Sequence, residues 1–296
     1  MKLTTKIIIG IFLSIFVISL LHIIIYSFTD RKNYRMSIQN RSISIPEANK
    51  PWIDVKPYRV IQFYYADKDD ESKYYYMPNN DYCGLFINPA PEKEKENTLV
   101  IPEALNDFIS TQINNDTLIV KINFEELRRK NGIQDEEFEK IKKTAIRYGI
   151  SVYGLNLYLH SSNVNIINNL SGLHTKIKNI ETDSIIIYSS GLVTIDSCKA
   201  ILINPVSCKG FTLTNSSAKI LNIDLDLIQG GWKEENNTIN IKNYTGSKDN
   251  HEMYIKRDDI GNKDEVINWL PKNKDAKLKI YLKGDTAQIR FKFNRN

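Results

Sequence analysis

Cysteine, glycine and histidine are all scarce in this chain, and each scarcity removes a class of chemistry. Three cysteines, Cys83, Cys198 and Cys208, stand among 296 residues. An odd number does not make a disulfide framework, and no Cys-x-x-Cys or Cys/His spacing offers a metal site. Cys198 and Cys208 are ten residues apart, so they are expected on different sides of the fold, too far apart to bridge. All three read as buried small residues. The 13 glycines include no phosphate-cradling loop and no nucleophile elbow. His160, His174 and His251 have no partner at triad or ligand spacing and read as structural. A net charge of +5 is too mild to imply nucleic acid, and no aromatic–basic stripe suited to it is visible.

What is present is a repeat. Residues 155–226 recur every 18 positions. Leu159, Ile177, Ile195 and Leu213 form one aliphatic column, and Ile167, Ile185, Ile203 and Leu221 a second. Leu157, Thr175, Val193 and Phe211 form a third; Ser161, Asn179, Ser197, Asn215 and Ser171, Ser189, Ser207 are small polar columns. A fixed period of this kind predicts a solenoid in which each coil stacks on the last. Within each aliphatic patch the residues alternate, as in Val193-Thr194-Ile195, which predicts strands with every second side chain inward. Turn formers lie between the patches, so each coil carries at least two strands.

The chain opens on Ile7–Phe28, 22 residues with one ionisable member, His22. That length spans a hydrocarbon core of ~30 Å as a helix. No small-x-small cleavage site follows it, so it reads as a retained transmembrane anchor (residues 1–29). Residues 30–52 read as a tether, 53–150 as a β-rich region with one helix, 151–248 as the β-solenoid and 249–296 as a C-terminal hairpin cap. The fold class expected is therefore mainly β, a solenoid behind an N-terminal transmembrane helix. In the β-rich region, Ile109–Ile113 and Leu118–Ile122 flank Asn114-Asn115-Asp116 as a hairpin. The tyrosine clusters Tyr64-Tyr65 and Tyr74-Tyr75-Tyr76 read mainly as strand residues, with a sugar or protein contact surface as the alternative. A helix is expected from Asp135, its cap, to about Tyr148, with Phe138, Ile141, Ala145 and Tyr148 as its apolar stripe and Lys140, Lys142, Lys143 and Arg147 on its other face. The hairpin cap would pair Leu278, Ile280 and Leu282 with Ile289, Phe291 and Phe293 across Lys283-Gly284-Asp285.

Asp224 and Asp226, with Asn222 beside them, alternate on one face. Two carboxylates about 7 Å apart could serve as acid and base, but no Lys or Arg visibly joins them, and the outward face of any surface strand looks alike. No catalytic, cofactor-binding or metal residue is assigned, no cofactor is expected, and the chain does not read as an enzyme.

Asp116-Thr117-Leu118-Ile119-Val120, then Ile150-Ser151-Val152-Tyr153-Gly154-Leu155 leading into Leu159-His160-Ser161-Ser162, resembles the head GIN domain family of autotransporter-adhesin heads, common in Bacteroidota. The resemblance would cover residues 54–290. The helix at 135–148 and the Asn and Ser turns depart from the family, whose coil turns are glycine-rich. It implies a cell-envelope location outside the cytoplasm, on the periplasmic side of the inner membrane or at the cell surface, and adhesion; it supplies no catalytic residues. Coils of 18 residues also occur in bactofilins, polymerising scaffolds, and solenoids elsewhere act on polysaccharides, so these stand as alternatives. Asp116-Thr117-Leu118, Asp183-Ser184-Ile185 and Asp285-Thr286-Ala287 resemble the O-glycosylation acceptor motif of Bacteroidota. Partner expectations are the membrane through Ile7–Phe28 and a glycan or envelope protein, with no nucleic acid.

Overall fold

The computed structural model describes residues 17–21, 24, 41–47, 50–65, 76–78, 82–144, 149–256, 266–283 and 290–293. Most of the expected anchor Ile7–Phe28 lies outside the described residues. Residues 17–21 and 24 are helical and exposed, and no helix among the described residues is long and apolar enough to cross a membrane. The chain is mainly β, with sheets rich in parallel pairs.

In chain order the first strands are β1 (Ser42–Ser44), β2 (Trp52–Asp54), β3 (Val60–Tyr65), β4 (Tyr76–Pro78), β5 (Gly84–Asn88), β6 (Thr98–Val100), β7 (Ile109–Asn114) and β8 (Thr117–Ile122). Two helices follow, α1 (Phe124–Lys130) and α2 (Asp135–Thr144). Next come β9 (Ile150–Tyr153), β10 (Asn156–His160), β11 (Ile166–Asn169), β12 (His174–Lys178), β13 (Glu181–Ser189), β14 (Leu192–Asp196), β15 (Lys199–Ser207), β16 (Gly210–Thr214) and β17 (Ser217–Asp224). The last are β18 (Trp232–Glu235), β19 (Thr238–Gly246), β20 (His251–Lys256), β21 (Val266–Pro271), β22 (Leu278–Lys283) and β23 (Arg290–Phe293).

From β11 onward the chain alternates between two sheets. Odd-numbered strands from β11 to β23 enter a ten-stranded sheet, and even-numbered strands from β12 to β18 an eight-stranded one. From β11 to β17 each strand pairs in parallel with the strand two places on. The register follows the columns through the centre of the repeat. Ile177, Ile195 and Leu213 are level, as are Thr175, Val193 and Phe211, and Ile185, Ile203 and Leu221. Ile195, Ile203, Leu213 and Leu221 are fully buried in one core shared by the two sheets, each contributing roughly 1.5–3 kcal/mol. The corners turn through Asn179, Ser197, Asn215 and Asn236, all at φ of +49 to +56°, a conformation that Asn tolerates better than most residues. Gly191 is required by packing, because a Cβ there would lie 2.4 Å from the Leu173 carbonyl oxygen.

Several expectations are corrected. Leu159 and Ile177 are not neighbours: β5 lies between β10 and β12, and Ile87 is level with both. Leu85 separates Leu157 from Thr175 in the same way. Ile167 is level with Ile187, not Ile185. Ser189 is level with Asn169, not Ser171, and Ser207 stands beside Tyr188 after a register shift, so Ser171, Ser189 and Ser207 do not form a column. The two last strands do not form a hairpin. β22 pairs in parallel with β20 and β23 with β21, and Ile289 and the Lys283-Gly284-Asp285 turn beyond Lys283 lie outside the described residues. The Ile109–Asn114 and Thr117–Ile122 hairpin is present, turning at Asn115. Sequence reading missed α1, whose N-terminus is capped by Asn123 accepting from the Glu126 backbone N–H. Asp135 does not cap α2; its carboxylate is held by Arg128 and Arg129. Phe138 of the expected stripe is buried and Ile141 packs on the core; Ala145, Tyr148 and the basic side chains lie outside the described residues. The three cysteines are buried and form no disulfide.

Replacing Ile195, fully buried, by Asp should abolish cooperative thermal unfolding, because it deletes a column member and buries a lone carboxylate. Ile201 in β15, 52% exposed, supplies the control: Ile201→Asp should melt within a few degrees of the parent. Circular dichroism on both variants decides it, and a near-parental melt for Ile195→Asp would overturn the column assignment.

Candidate binding face

Five neighbouring strands, β12, β5, β10, β6 and β2, position a cluster of rings and cations on the outer face of the eight-stranded sheet. Thr175, Leu85, Ile87, Leu157, Leu159 and Leu99 are buried. Strand alternation therefore turns Lys176, Phe86, Tyr158 and Trp52 outward. Parallel register makes Lys176, Phe86 and Tyr158 level, and antiparallel pairing through Val100 brings Trp52 onto the same row. Neighbouring strands lie ~4.8 Å apart, so level rings are placed at stacking distance by the backbone itself.

The rings of Phe86 and Tyr158 stack with centroids 4.7 Å apart and planes 15° apart. Lys176 Nζ lies 4.9 Å from the Phe86 centroid and Lys50 Nζ 4.8 Å from that of Tyr158. Because β12 and β10 flank β5, Lys176 and Tyr158 cover opposite faces of Phe86. At the end of this row, Trp52 stacks on His160 at 5.0 Å and 19°, and Lys95 Nζ lies 5.1 Å from the Trp52 ring. Each cation–ring contact is worth ~0.5–1 kcal/mol at an exposed site, enough to bias a long side chain toward one place.

Charges of both signs stand here: Glu47 and Glu96 lie beside the rings, and Asp54 is exposed on the same face of β2 as Trp52. Lys95 and Lys176 meet no carboxylate among the described residues. Lys50 lies 3.5 Å from Glu47, whose other oxygen accepts Asn156 Nδ2 at 2.5 Å. The Glu96 carboxylate is committed to a loop, accepting the Ser162 N–H and O–H at 2.5 and 2.8 Å and the Ala90 N–H at 3.3 Å. Burial depresses the His160 imidazole below its ordinary value. Burial, helped by Lys176, depresses His174 to about 4. Both rings are therefore neutral at pH 7, His174 meeting Thr194 Oγ1 at 2.8 Å. The aromatic–basic stripe that linear reading does not find is thus assembled by folding, with each ring in contact with a neighbouring ring and a lysine.

The tyrosine clusters contribute elsewhere. Tyr64 lies under Lys121 on the ten-stranded sheet, and Tyr76 is buried against Phe124 and Phe138; the side chain of Tyr65, and Tyr74 and Tyr75, lie outside the described residues. Of the glycosylation-like motifs, Thr117 opens β8, and Ser184, half-buried in β13, accepts from Asn165 Nδ2 at 3.2 Å; Asp285-Thr286-Ala287 lies outside the described residues.

The carboxylate pair is joined by a lysine after all. Lys272 Nζ lies 2.7 Å from both oxygens of Asp224 and 2.8 Å from Asp226 Oδ2. Asp226 Oδ1 accepts the Ser247 N–H at 3.1 Å and faces His251 Nε2 at 3.1 Å, a His–Asp contact that spacing did not show. Burial alone would raise the Asp226 pKa, but hydrogen bonds from Lys272 and Ser247 outweigh it and hold the group well below the usual carboxylate range. A carboxyl held ionised in this way is unsuited to donating a proton. The cluster ties together the chain after β17, β19 and β21 and acts as a corner staple.

No family model matches the chain, and no curated protein matches it. Similar solved structures include a "putative adhesin" from Bacteroides fragilis NCTC 9343, with 12% identity and a TM-score of 0.43 over 86% of this chain and 100% of that one. Another "putative adhesin", from Parabacteroides merdae ATCC 43184, has 7% identity and a TM-score of 0.33 over 86% and 100%. A "putative lipid binding protein" from Parabacteroides distasonis ATCC 8503 has 8% identity and a TM-score of 0.36 over 86% and 100%.

Lys272→Gln should lower the melting temperature at pH 7. A depressed folded pKa contributes stability above the unfolded value, 3.8 for Asp226, and that stability is lost as pH falls below it. The gap between parent and variant should therefore narrow as pH drops through about 4. A gap constant from pH 7 to 3 would show that Lys272 does not act through Asp226.

Proposed function

We propose that this chain is a single-pass membrane protein that carries a β-solenoid outside the cytoplasm and works by binding, as an adhesion or interaction module of the cell envelope. The observation that carries the binding reading is the cation–aromatic face, where Lys95 and Lys176 are positioned over rings without a carboxylate partner among the described residues. The solenoid reading is supported by the strand-by-strand alternation between two sheets at an 18-residue step; stacked coils of this kind present long outer surfaces to a partner. The anchor reading rests on the apolar run Ile7–Phe28 and the extracytoplasmic reading on the resemblance to head GIN domains. Against the reading of an enzyme on polysaccharide stands the capture of Asp224 and Asp226 by Lys272.

Sidedness tests the location. The native thiols are buried, so Glu92, exposed in the charged loop before β6, can be replaced by Cys with the unsubstituted chain as the blank. In cells with a permeabilised outer envelope, a membrane-impermeant maleimide should label Glu92→Cys and leave the blank unlabelled. Labelling only after lysis would put the domain inside and remove the adhesion reading.

A further inference from the structure

We propose that the face built from Lys50, Trp52, Phe86, Lys95, Tyr158 and Lys176 takes an acidic polysaccharide, one carrying carboxylate or sulfate groups on successive sugars. This deepens the binding reading above and rests on it. Three features of the face select that chemistry.

The first is charge. Three ammonium groups stand on one face of one sheet, and among the described residues only Lys50 has a carboxylate at ion-pair distance. The second is spacing. Contacts of 4.9, 4.7 and 4.8 Å link Lys176 to Phe86, Phe86 to Tyr158 and Tyr158 to Lys50, so two cations are held at the ends of a rigid ring pair. Lys95 is held beside them by Trp52. Fixed separation favours a partner whose anions also repeat at intervals over a compact globular one. The third is what the rings do not offer. A single-stranded nucleic acid needs free ring faces for its bases; here Phe86 is covered by Lys176 and Tyr158, and Trp52 is flanked by His160 and Lys95. Ring edges remain to pack against sugar C–H groups while the ammonium groups meet the anions. Trp52, 41% exposed on the edge strand β2, is the ring most open to such an approach.

The test uses the full chain in detergent and measures retardation in native gels containing polygalacturonate, chondroitin sulfate or fully methyl-esterified polygalacturonate, which keeps the sugar rings and loses the charge. The parent should be retarded by an acidic polymer and not by the ester. Retardation should vanish at high salt, where the screening length falls to roughly 3 Å. Lys95→Gln with Lys176→Gln should weaken the apparent affinity about ten-fold or more without moving the melting temperature, since both side chains lie outside the core. Trp52→Ala should weaken it in the same direction. Equal retardation by the esterified polymer would overturn the acidic specificity and leave glycan binding standing. No retardation by either acidic polymer, or undiminished binding by the double Lys variant, would overturn the proposal. So would sedimentation with phosphatidylserine vesicles or a shift by a single-stranded oligonucleotide in the absence of any response to acidic glycans. The broader reading fails separately, through labelling of Glu92→Cys only after lysis.

Discussion

Parallel strand pairing across two facing sheets is the constraint on which the rest of this structure depends. In a parallel ladder each strand lies level with the next, so every corner must return the chain to the same height. The αL residues do this at one corner: Asn179, Ser197 and Asn215 donate their N–H groups to the carbonyls of Asp196, Thr214 and Glu235 on the next level. Their side chains help. The Asp196 carboxylate accepts from Asn215, Ser197 and Thr214 and pairs with Lys178, and these contacts, led by Asn215, lower its pKa to about 2. Inside the same corner, Ser216 accepts from the Cys198 N–H and donates to the Thr214 carbonyl, while its own N–H donates to Asn237. Buried polar atoms at the turns are therefore satisfied by the neighbouring levels, which explains why small polar columns accompany the aliphatic ones.

The constraint also shows where extra residues can go. Leu213 is level with Glu234, a step of 21 residues instead of 18, yet Asn215 still donates to Glu235, and Asn236 still adopts a φ of +55°. The additional residues are absorbed at the opposite corner, around Leu225–Gly231. That corner is the one tied by Asp226, His251 and Lys272, so the staple lies where the repeat loosens. Lys272 comes from beyond β21 and Asp224 from the end of β17, and one ammonium group spans the levels that lengthened turns would otherwise leave free to separate.

The same physics separates what the sequence reveals from what it hides. Alternation tells which face a residue takes, and between Thr175 and Leu221 a regular step also tells its neighbours, because there each strand pairs with the strand two places on. The step fails where a strand arrives from elsewhere. Leu85 and Ile87 have the same inward pattern as Leu157 and Leu159, so β5 fits between β10 and β12 without disturbing a column, and nothing in the spacing announces it. The C-terminal strands fail for the related reason that a Gly-containing turn signal suggests a hairpin, while parallel pairing carries each strand to a different sheet. The candidate face inherits this opacity. Trp52, Phe86, Tyr158 and Lys176 each look like an ordinary outward strand residue, and they become a row only because segments far apart in sequence are spliced into one sheet. The Asp226–His251–Lys272 cluster was hidden in the same way, with only its Asp pair legible.

The aliphatic columns are interrupted by a pair of charges, beyond which the ten-stranded sheet resumes with buried Ile267, and the reason is topological. Level with Leu213 and Leu221 stand Glu234 and Lys242, whose side chains are 8% and 7% exposed and form an ion pair at 2.8 Å. Glu234 Oε1 also accepts from Trp232 Nε1 and Tyr244 O–H at 3.2 and 3.1 Å. Glu234 belongs to β18, the last strand of the eight-stranded sheet, whereas Lys242 belongs to β19, from which the ten-stranded sheet continues. Beyond β18 the facing layer is a separate two-stranded sheet of β20 and β22, so the stack loses continuity on one side at this level. A leucine column carried through the break would favour any sliding of the two layers almost equally, because aliphatic packing is non-directional. An ion pair backed by two further donors is satisfied in one arrangement only. Such a pair adds little net stability, yet removing one partner leaves a buried charge at a cost of about 3–5 kcal/mol. It therefore penalises misaligned layers at the level where sheet hydrogen bonding no longer enforces alignment.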